Sequence, residues 1–338
     1  MVTESSSASR VRPFGNGGTV LGPILALTFS PRLLEVAFEA LVKELFRKLD
    51  PDAGEIVIAV ASPSTGEFGG GTILPQPRGT LWSAVLGRHE MCPLSLSGDE
   101  ALSLRQVIVI ASMTDDGCPI TRVLDLRSGT GMIDAAGAMH ESVITNGPLR
   151  VRIGNSALFA IPTGDLFRGG RIVGYDEIAW PTPVRWLPVS STERQLDEFS
   201  RVSSSSSVIS LASEVERRAR RMRRAINSTS VGSFVVEVDG ARSEIDVDGL
   251  DLRSGVLFGR YPRCDISCTN APMSDGISRV HALFLMVDEK LRVFDTGSTN
   301  GIVCRSSDAD GLSLPVDRES RLSLYKGAAI TWRPNRAA

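Results

Sequence analysis

Three short clusters in the last quarter of the chain carry residue types that bind a phosphate group. They are Gly259-Arg260, then Ser278-Arg279-Val280-His281, then the run from Asp295 to Gly301. A phosphorylated threonine carries nearly two negative charges and three strong acceptor oxygens. An arginine meets these oxygens with charge-assisted hydrogen bonds, and a hydroxyl or amide completes the shell. The clusters therefore predict recognition of a phosphate and of the peptide that carries it.

The local pattern places each cluster beside a strand. Val256–Phe258 is apolar and leads into Gly259, and Ser278 precedes the apolar run from Ala282 to Val287. Leu291–Phe294 reads as a further strand, after which the glycine-bounded run from Asp295 is typical of a turn. The three clusters can then meet at one end of a β-sandwich.

In this order and spacing the clusters resemble the forkhead-associated (FHA) domain, a β-sandwich that binds phosphothreonine peptides. The resemblance covers roughly Gly232 to Pro334. It implies that the phosphate is held by Arg260 and Ser278. It implies that the peptide is contacted by Arg279, Thr299 and Asn300, with Asn300 bonding the peptide backbone. It also implies an architectural role for Gly259, His281 and Gly301, with His281 bracing the loops.

A protease is the enzyme alternative, because Val293 to Asn300 also resembles the Asp-Thr-Gly segment of pepsin-like aspartic proteases. That chemistry needs two carboxylates sharing a proton. The other candidate, Leu124 to Gly129, puts leucine and arginine where the protease pattern has a small hydroxyl residue and glycine, and too little chain follows Asp295 for the rest of a lobe. The expectation is therefore no catalytic residue, with Asp295 stabilising a turn.

The N-terminal half contains a degenerate copy of the same three clusters. Three segments correspond in order to the three C-terminal clusters: Val85–Arg88, Ser103–Gln106 and Asp125–Gly131. Gly154 corresponds to Gly327. Gln106 stands in place of the bracing histidine, and Thr130 in place of Asn300. The pattern predicts a second, degenerate FHA-like sandwich with a residual site at Arg88, Ser103 and Thr130 that has lost ordinary phosphopeptide binding. A chance match between two sandwiches is the alternative.

The fold class predicted is mainly β, with two antiparallel β-sandwich domains, an N-terminal amphipathic helix and a helical linker. The predicted units are a flexible arm (1–30), an amphipathic helix (31–50), an FHA-like sandwich (51–165), an irregular and linker segment (166–230) and an FHA domain (231–338). The apolar rows of the helix either cover a sheet of the following domain or form a dimer face.

The linker contains five consecutive serines, Ser203–Ser207, followed by a helical pattern from Val215 to Ile226 crowded with arginines. An acidic partner, nucleic acid or an anionic lipid surface would relieve the repulsion among those charges. No aromatic residue accompanies them as base stacking would require, so a solvated linker helix is favoured. Nucleic-acid or anionic-surface binding remains the alternative function.

Composition excludes several classes of protein. The net charge is −2, hydrophobic residues make up 42% of the chain, and the five cysteines form no Cys-x-x-Cys pair. These values predict a cytoplasmic globular protein with reduced cysteines, no metal and no cofactor. The partner expected is a phosphothreonine-containing protein, either a Ser/Thr kinase or its substrate. Capture of this chain's own linker, phosphorylated at Thr192 or Thr229, and a homodimer are further alternatives.

Overall fold

The computed structural model describes residues 31–45, 49, 55–62, 68–74, 81–113, 119–128, 130–134, 139–180, 208–210, 230–287, 290–304, 313–314 and 317–335. The predictions for the arm (1–30), the serine run, the arginine-rich linker helix, Thr192 and Thr229 fall outside these residues.

The N-terminal domain is a sandwich of two sheets. Its strands are β1 (Ile56–Ala61), β2 (Phe68–Leu74), β3 (Trp82–Gly87), β4 (Leu94–Ser95), β5 (Val107–Met113), β6 (Pro119–Asp125), β7 (Met132–Ile133), β8 (Met139–His140), β9 (Ser142–Thr145), β10 (Leu149–Ile153) and β11 (Ser156–Pro162). One sheet has the order β2-β1-β11-β10-β7-β8, and the other contains β9-β6-β5-β3-β4. Strands β10 and β11 form a hairpin that turns at Gly154, where φ is 56°.

A layer of helix and loop covers the outer face of the first sheet. Helix α1 (Pro31–Leu45) buries Leu34, Phe38 and Leu41 against β1 and β11. Further along the chain, the same layer contains α2 (Thr163–Leu166), β12 (Phe167–Arg168), β13 (Arg171–Ile172) and the 3-10 helix Tyr175–Glu177. Covering a sheet is one of the two roles that the amphipathic pattern left open for α1. The segment after Leu166, expected to be irregular, contains a short hairpin.

The linker supplies one strand. Strand β14 (Val208–Ser210) pairs antiparallel with β9 and extends the second sheet of the N-terminal domain. The sequence analysis predicted no strand there, because three residues beside a serine run are too short to show a period of two.

The C-terminal domain is a second sandwich. Its elements are β15 (Ser230–Val238), β16 (Ala241–Asp248), α3 (Gly249–Ser254), β17 (Val256–Phe258), β18 (Ala282–Val287), β19 (Lys290–Asp295), β20 (Val303–Cys304), β21 (Ser313–Leu314), β22 (Ser320–Tyr325) and β23 (Ala328–Pro334). The sheets have the orders β16-β15-β23-β22-β20 and β17-β18-β19-β21. Asp248 caps α3 by accepting a 2.7 Å hydrogen bond from the Asp251 N–H. The prediction of a mainly β, antiparallel fold is confirmed.

The two sandwiches follow one plan. Strands β1, β2, β10 and β11 take the places of β15, β16, β22 and β23, while β3, β5 and β6 take those of β17, β18 and β19. Even a short parallel pairing is shared, since Leu86 pairs with Leu94 as Phe258 does with Ile266. The proposed internal repeat therefore extends from short motifs to strand order.

The sandwiches pack on each other through apolar side chains of β3, β5, β6 and their adjoining loops in one domain and of β17, β18, β19 and their adjoining loops in the other. We call this group the interdomain cluster: Val85, Cys92, Ile108, Ile110, Leu124, Leu126, Leu257, Cys264, Val280, Leu283, Leu285 and Phe294. Five pairs occupy corresponding positions in the repeat: Val85 and Leu257, Cys92 and Cys264, Ile108 and Leu283, Ile110 and Leu285, and Leu124 and Phe294. The interface is thus close to self-complementary, as in a two-fold dimer.

We expect Leu285→Ala to destabilise the whole chain by about 2–4 kcal/mol, because Leu285 is fully buried in the interdomain cluster and truncation leaves a cavity. Urea unfolding measures the loss. Val36→Ala is the control, since Val36 on α1 is 42% exposed and its truncation should cost about 0.5 kcal/mol or less. Equal effects of the two substitutions would show that the interdomain cluster contributes nothing to stability.

Candidate functional site

The three C-terminal clusters lie together at one end of the second sandwich. The Arg260 N–H donates to the Ser278 carbonyl at 3.0 Å, and the Tyr261 N–H donates to the Arg279 carbonyl at 2.9 Å. Gly259 permits this approach, because a Cβ there would lie 2.4 Å from the Arg279 carbonyl oxygen. The arginine loop and the serine loop therefore run side by side.

His281 joins the serine loop to the turn after β19. Its Nδ1 accepts a 3.1 Å hydrogen bond from the Ser278 N–H, and its Nε2 lies 3.1 Å from the Gly301 carbonyl oxygen. Because one partner can only donate and the other only accept, the ring is neutral with its proton on Nε2. Burial lowers the pKa of His281, which favours the same neutral form.

Asp295 holds the turn that carries Thr299 and Asn300. Its carboxylate accepts bonds from the Ser298 N–H at 2.6 Å and from the Ser298 hydroxyl at 2.9 Å. The Ser298 hydroxyl in turn accepts the Gly301 N–H at 3.0 Å. The protease-like Asp-Thr-Gly thus supplies a carboxylate that is engaged within its own turn.

Ser278 is nearly buried, and its hydroxyl bonds to the neighbouring turn. It accepts the Thr299 N–H at 3.0 Å and donates to the Thr299 hydroxyl at 3.4 Å. The second bond is at the long limit for hydroxyl groups and is correspondingly weak. The Ser278 proton can therefore turn to a stronger acceptor without loss of the bond that orders Thr299.

Arg260 stands at the mouth of the site and is paired with an acidic residue. Its Nη1 lies 2.5 Å from Oδ1 of Asp275, and the side chains of Arg260 and Asp275 are 42% and 97% exposed. The Arg260 Nε is buried, and no hydrogen-bond partner for it lies among the residues that the structure describes. The sequence did not indicate Asp275 as part of the site. In the structure its carboxylate forms an ion pair with the Arg260 guanidinium.

Asn300 is tied to the same loop as Asp275. Its Nδ2 donates to the Gly276 carbonyl at 2.7 Å, and Gly276 lies over the ring of Tyr325. Ser274 and Tyr325 also hydrogen-bond through their hydroxyl groups. An amide has two N–H groups and a carbonyl oxygen, so a peptide can still bond to Asn300. Arg279 and Thr299 are exposed.

The N-terminal copy reproduces the backbone bond of the arginine loop and the Asp–Ser bond of the turn. The Arg88 N–H donates to the Ser103 carbonyl at 3.0 Å, and a Cβ on Gly87 would lie 2.3 Å from the Leu104 carbonyl oxygen. The Ser128 N–H donates to Asp125 at 3.0 Å, as Ser298 does to Asp295. Burial raises the pKa of Asp125 to about 6. The degenerate site therefore keeps the backbone of the other site.

Gln106 performs the bracing that the sequence analysis assigned to histidine alone. Its Oε1 accepts the Ser103 N–H at 2.9 Å, and its Nε2 donates to the Ser128 hydroxyl at 2.6 Å and to the Thr130 hydroxyl at 2.9 Å. An amide offers one acceptor and one donor at opposite corners, as the neutral imidazole does. Either histidine or glutamine can therefore supply the acceptor and the donor that connect the serine loop to the following turn.

Arg127 takes the place that Gly297 has in the other copy. Both residues have positive φ, 61° for Arg127 and 78° for Gly297. A non-glycine residue in this region costs about 1–2 kcal/mol. Arg127 Nη2 lies 2.8 Å from the Asp265 carboxylate of the other domain, so the side chain that causes the strain also joins the two domains.

Residues 256–322 match the sequence model of the FHA domain. The chain contains an FHA domain. The match spans β17 to β22 and includes all three C-terminal clusters. No curated protein matches the chain significantly.

Solved structures with which the chain shares similarity include an FHA domain. The Slr1951 protein of Synechocystis sp. is 18% identical with a TM-score of 0.25, over 31% of this chain and 99% of that one. FHA-1 of Rv1747 from Mycobacterium tuberculosis is 19% identical with a TM-score of 0.23, over 32% of this chain and 100% of that one. EmbR of M. tuberculosis, solved with a low-affinity phosphopeptide, is 12% identical with a TM-score of 0.24, over 44% of this chain and 36% of that one.

The part of the chain that the structure describes contains no group of His, Cys, Asp and Glu side chains arranged to hold a metal ion. None of its helices combines the length and apolar character needed to cross a bilayer. Cys92, Cys264 and Cys268 are free thiols.

We expect His281→Gln to keep the FHA domain close to its original stability, because Gln106 makes the equivalent bonds in the N-terminal copy. His281→Leu leaves the Ser278 N–H and the Gly301 carbonyl without their side-chain partner, which should cost about 1–3 kcal/mol. Urea unfolding compares the two variants. Equal destabilisation by glutamine and leucine would contradict the bracing role.

Proposed function

We propose that the FHA domain binds a phosphothreonine peptide and that the chain acts as a non-catalytic adaptor in Ser/Thr kinase signalling in the cytoplasm. The observation that carries the proposal is the convergence of Arg260, Ser278 and the Thr299–Asn300 turn on one loop surface. The match to the FHA family supports it.

In this proposal Arg260 and Ser278 hold the phosphate. The guanidinium exchanges the single carboxylate of Asp275 for a dianion with three acceptor oxygens, and charge-assisted bonds of that kind are the stronger ones. The Ser278 hydroxyl exchanges its long bond to Thr299 for a bond to a phosphate oxygen. Both exchanges replace a weaker interaction that the structure contains.

The peptide lies along the remaining exposed groups. Asn300 bonds the peptide backbone with the part of its amide that Gly276 does not use, and Arg279 and Thr299 flank it. Gly259, His281 and Gly301 are architectural, because each one fixes a loop that carries a contact residue. The N-terminal copy lacks an asparagine at the Thr130 position, so it does not read a peptide backbone in this way.

Asp275 competes with any anionic ligand for the Arg260 guanidinium. Any anion that binds Arg260 must displace the Asp275 carboxylate, and an exposed ion pair of this kind is worth at most about 1 kcal/mol. A phosphate dianion can displace it readily, whereas a single carboxylate gains nothing by the exchange. The ion pair therefore discriminates against unphosphorylated acidic peptides.

Calorimetric titration of the full chain with phosphothreonine peptides selected from a library tests the proposal. Arg260→Ala should weaken binding about thirtyfold or more, since loss of a charge pair at an interface costs about 2 kcal/mol or more. Asp275→Asn should strengthen binding by up to about fivefold, because the competing carboxylate is gone.

Arg333→Ala is the matched control, because Arg333 pairs with Glu319 at the end of β23 away from the site. It should leave the affinity unchanged. The same peptides with threonine or phosphoserine should bind at least tenfold more weakly than the phosphothreonine forms. Failure to recover any phosphothreonine peptide, or equal loss with Arg260→Ala and Arg333→Ala, would overturn the proposal.

A further inference from the structure

A second site is suggested by a cavity at the junction of the two domains. The cavity has a volume of about 230 Å³. The residues that line it and bear on the argument are Arg88, Ser103, Arg105, Arg127 and Ser128 of the N-terminal domain and Arg279 of the FHA domain. Neither Arg260 nor Asn300 lines it, and Arg279 is the one residue that it shares with the Arg260 site.

The lining is strongly cationic. It contains four arginines, and no Asp or Glu of the described chain is among the lining residues. Arg127 is paired with Asp265 at 2.8 Å and is also attracted by Glu141 and Asp125. Arg105 donates to the Gly297 carbonyl at 3.1 Å and is attracted by Asp295, so the charges of these two arginines are partly offset from outside the cavity. Cations gathered around one cavity repel each other, and a bound anion relieves the repulsion.

The arginines are held in place before any ligand arrives. Arg88 donates from Nε to the Leu102 carbonyl at 2.6 Å. Arg105 is fixed by Gly297, and Arg127 by Asp265 and by its left-handed turn. A guanidinium has five N–H groups, so each one keeps donors beyond those used for positioning. Groups ordered in advance lose less entropy on binding.

The strained backbone at Arg127 favours a functional reason for its side chain. Glycine occupies the equivalent position in the other copy without that strain, and strained conformations concentrate at functional sites. Arg279 approaches from the FHA domain, so the cavity exists only because the interdomain cluster joins the two sandwiches. Arg88 and Ser103 occupy the positions of Arg260 and Ser278 in the repeat.

The size of the cavity restricts the ligand. Sites for small molecules and cofactors usually measure about 300–1,000 Å³, so about 230 Å³ suits a phosphorylated side chain rather than a nucleotide. Four arginines match a dianion with several acceptor oxygens better than a carboxylate. We propose that the cavity binds the phosphoryl group of a phosphorylated protein segment, through Arg88 and Ser103 of one domain and Arg279 of the other.

The site goes beyond the function proposed for the FHA domain and does not depend on it. It has no asparagine to bond the ligand backbone, so it reads a phosphoryl group with little regard to the flanking peptide. A segment that carries two phosphoryl groups could occupy both sites at once. It would then bind more tightly than it would at either site alone.

The test uses the full-length Arg260→Ala protein, in which the FHA site is disabled. Inorganic phosphate and an array of phosphothreonine, phosphoserine and unphosphorylated peptides are the probes, with binding followed by NMR and fluorescence anisotropy. We expect saturable phosphate binding and capture of phosphorylated peptides across diverse sequences. Adding Arg88→Ala or Arg279→Ala should weaken both by about tenfold or more, the effect of losing one charge-assisted bond.

Arg333→Ala added to the same protein is the control and should change nothing. Ser103→Ala removes only a hydroxyl group that lies outside the FHA site, so this variant decides the outcome if Arg88→Ala disturbs folding. Absence of saturable phosphate binding, or binding that is indifferent to both variants, would overturn the site. Binding of inorganic phosphate without any phosphopeptide would overturn the proposed ligand. Loss of all peptide binding in Arg260→Ala alone would leave the FHA proposal standing and refute this one.

Discussion

The apolar cluster between the two sandwiches is the interaction on which the arrangement of both sites depends. Strands β3, β5 and β6 bury one face in their own sandwich and the other against β17, β18 and β19. The second burial removes from water a sheet face that an isolated sandwich would expose. It also brings Arg279 beside Arg88 and Ser103. The two halves therefore form one structural unit rather than two modules joined only by a linker.

Within each sandwich, one bridging side chain gives the site end its shape. The serine loop and the turn after the following strand are connected by His281 in one domain and by Gln106 in the other. The requirement is a buried group that accepts from one loop and donates to the other, and either residue type satisfies it. This explains how the N-terminal copy kept its backbone geometry after the residues at the peptide-contacting positions had changed.

The sequence predicted much of this arrangement because the informative signals were local. Glycine before arginine, serine three residues before histidine, and a glycine-bounded turn are each a few residues long, and each one leads into or out of a strand. The pairing of Arg260 with Asp275 and of Asn300 with Gly276 was not predicted, since the path of a loop depends on distant side chains such as Tyr325. One feature of the sequence does indicate the interdomain cluster. Val107–Ala111 is apolar without alternation, which indicates a strand that is buried on both faces.

The most direct measurement of the central claim is an NMR titration of the arginine Nε–H groups in the full chain with a phosphothreonine peptide. The Arg260 Nε–H is buried, and no acceptor for it lies among the described residues. The account predicts a large saturable shift of this resonance with the phosphorylated peptide and none with its unphosphorylated form. A peptide that binds while the Arg260 resonance stays unchanged would contradict it.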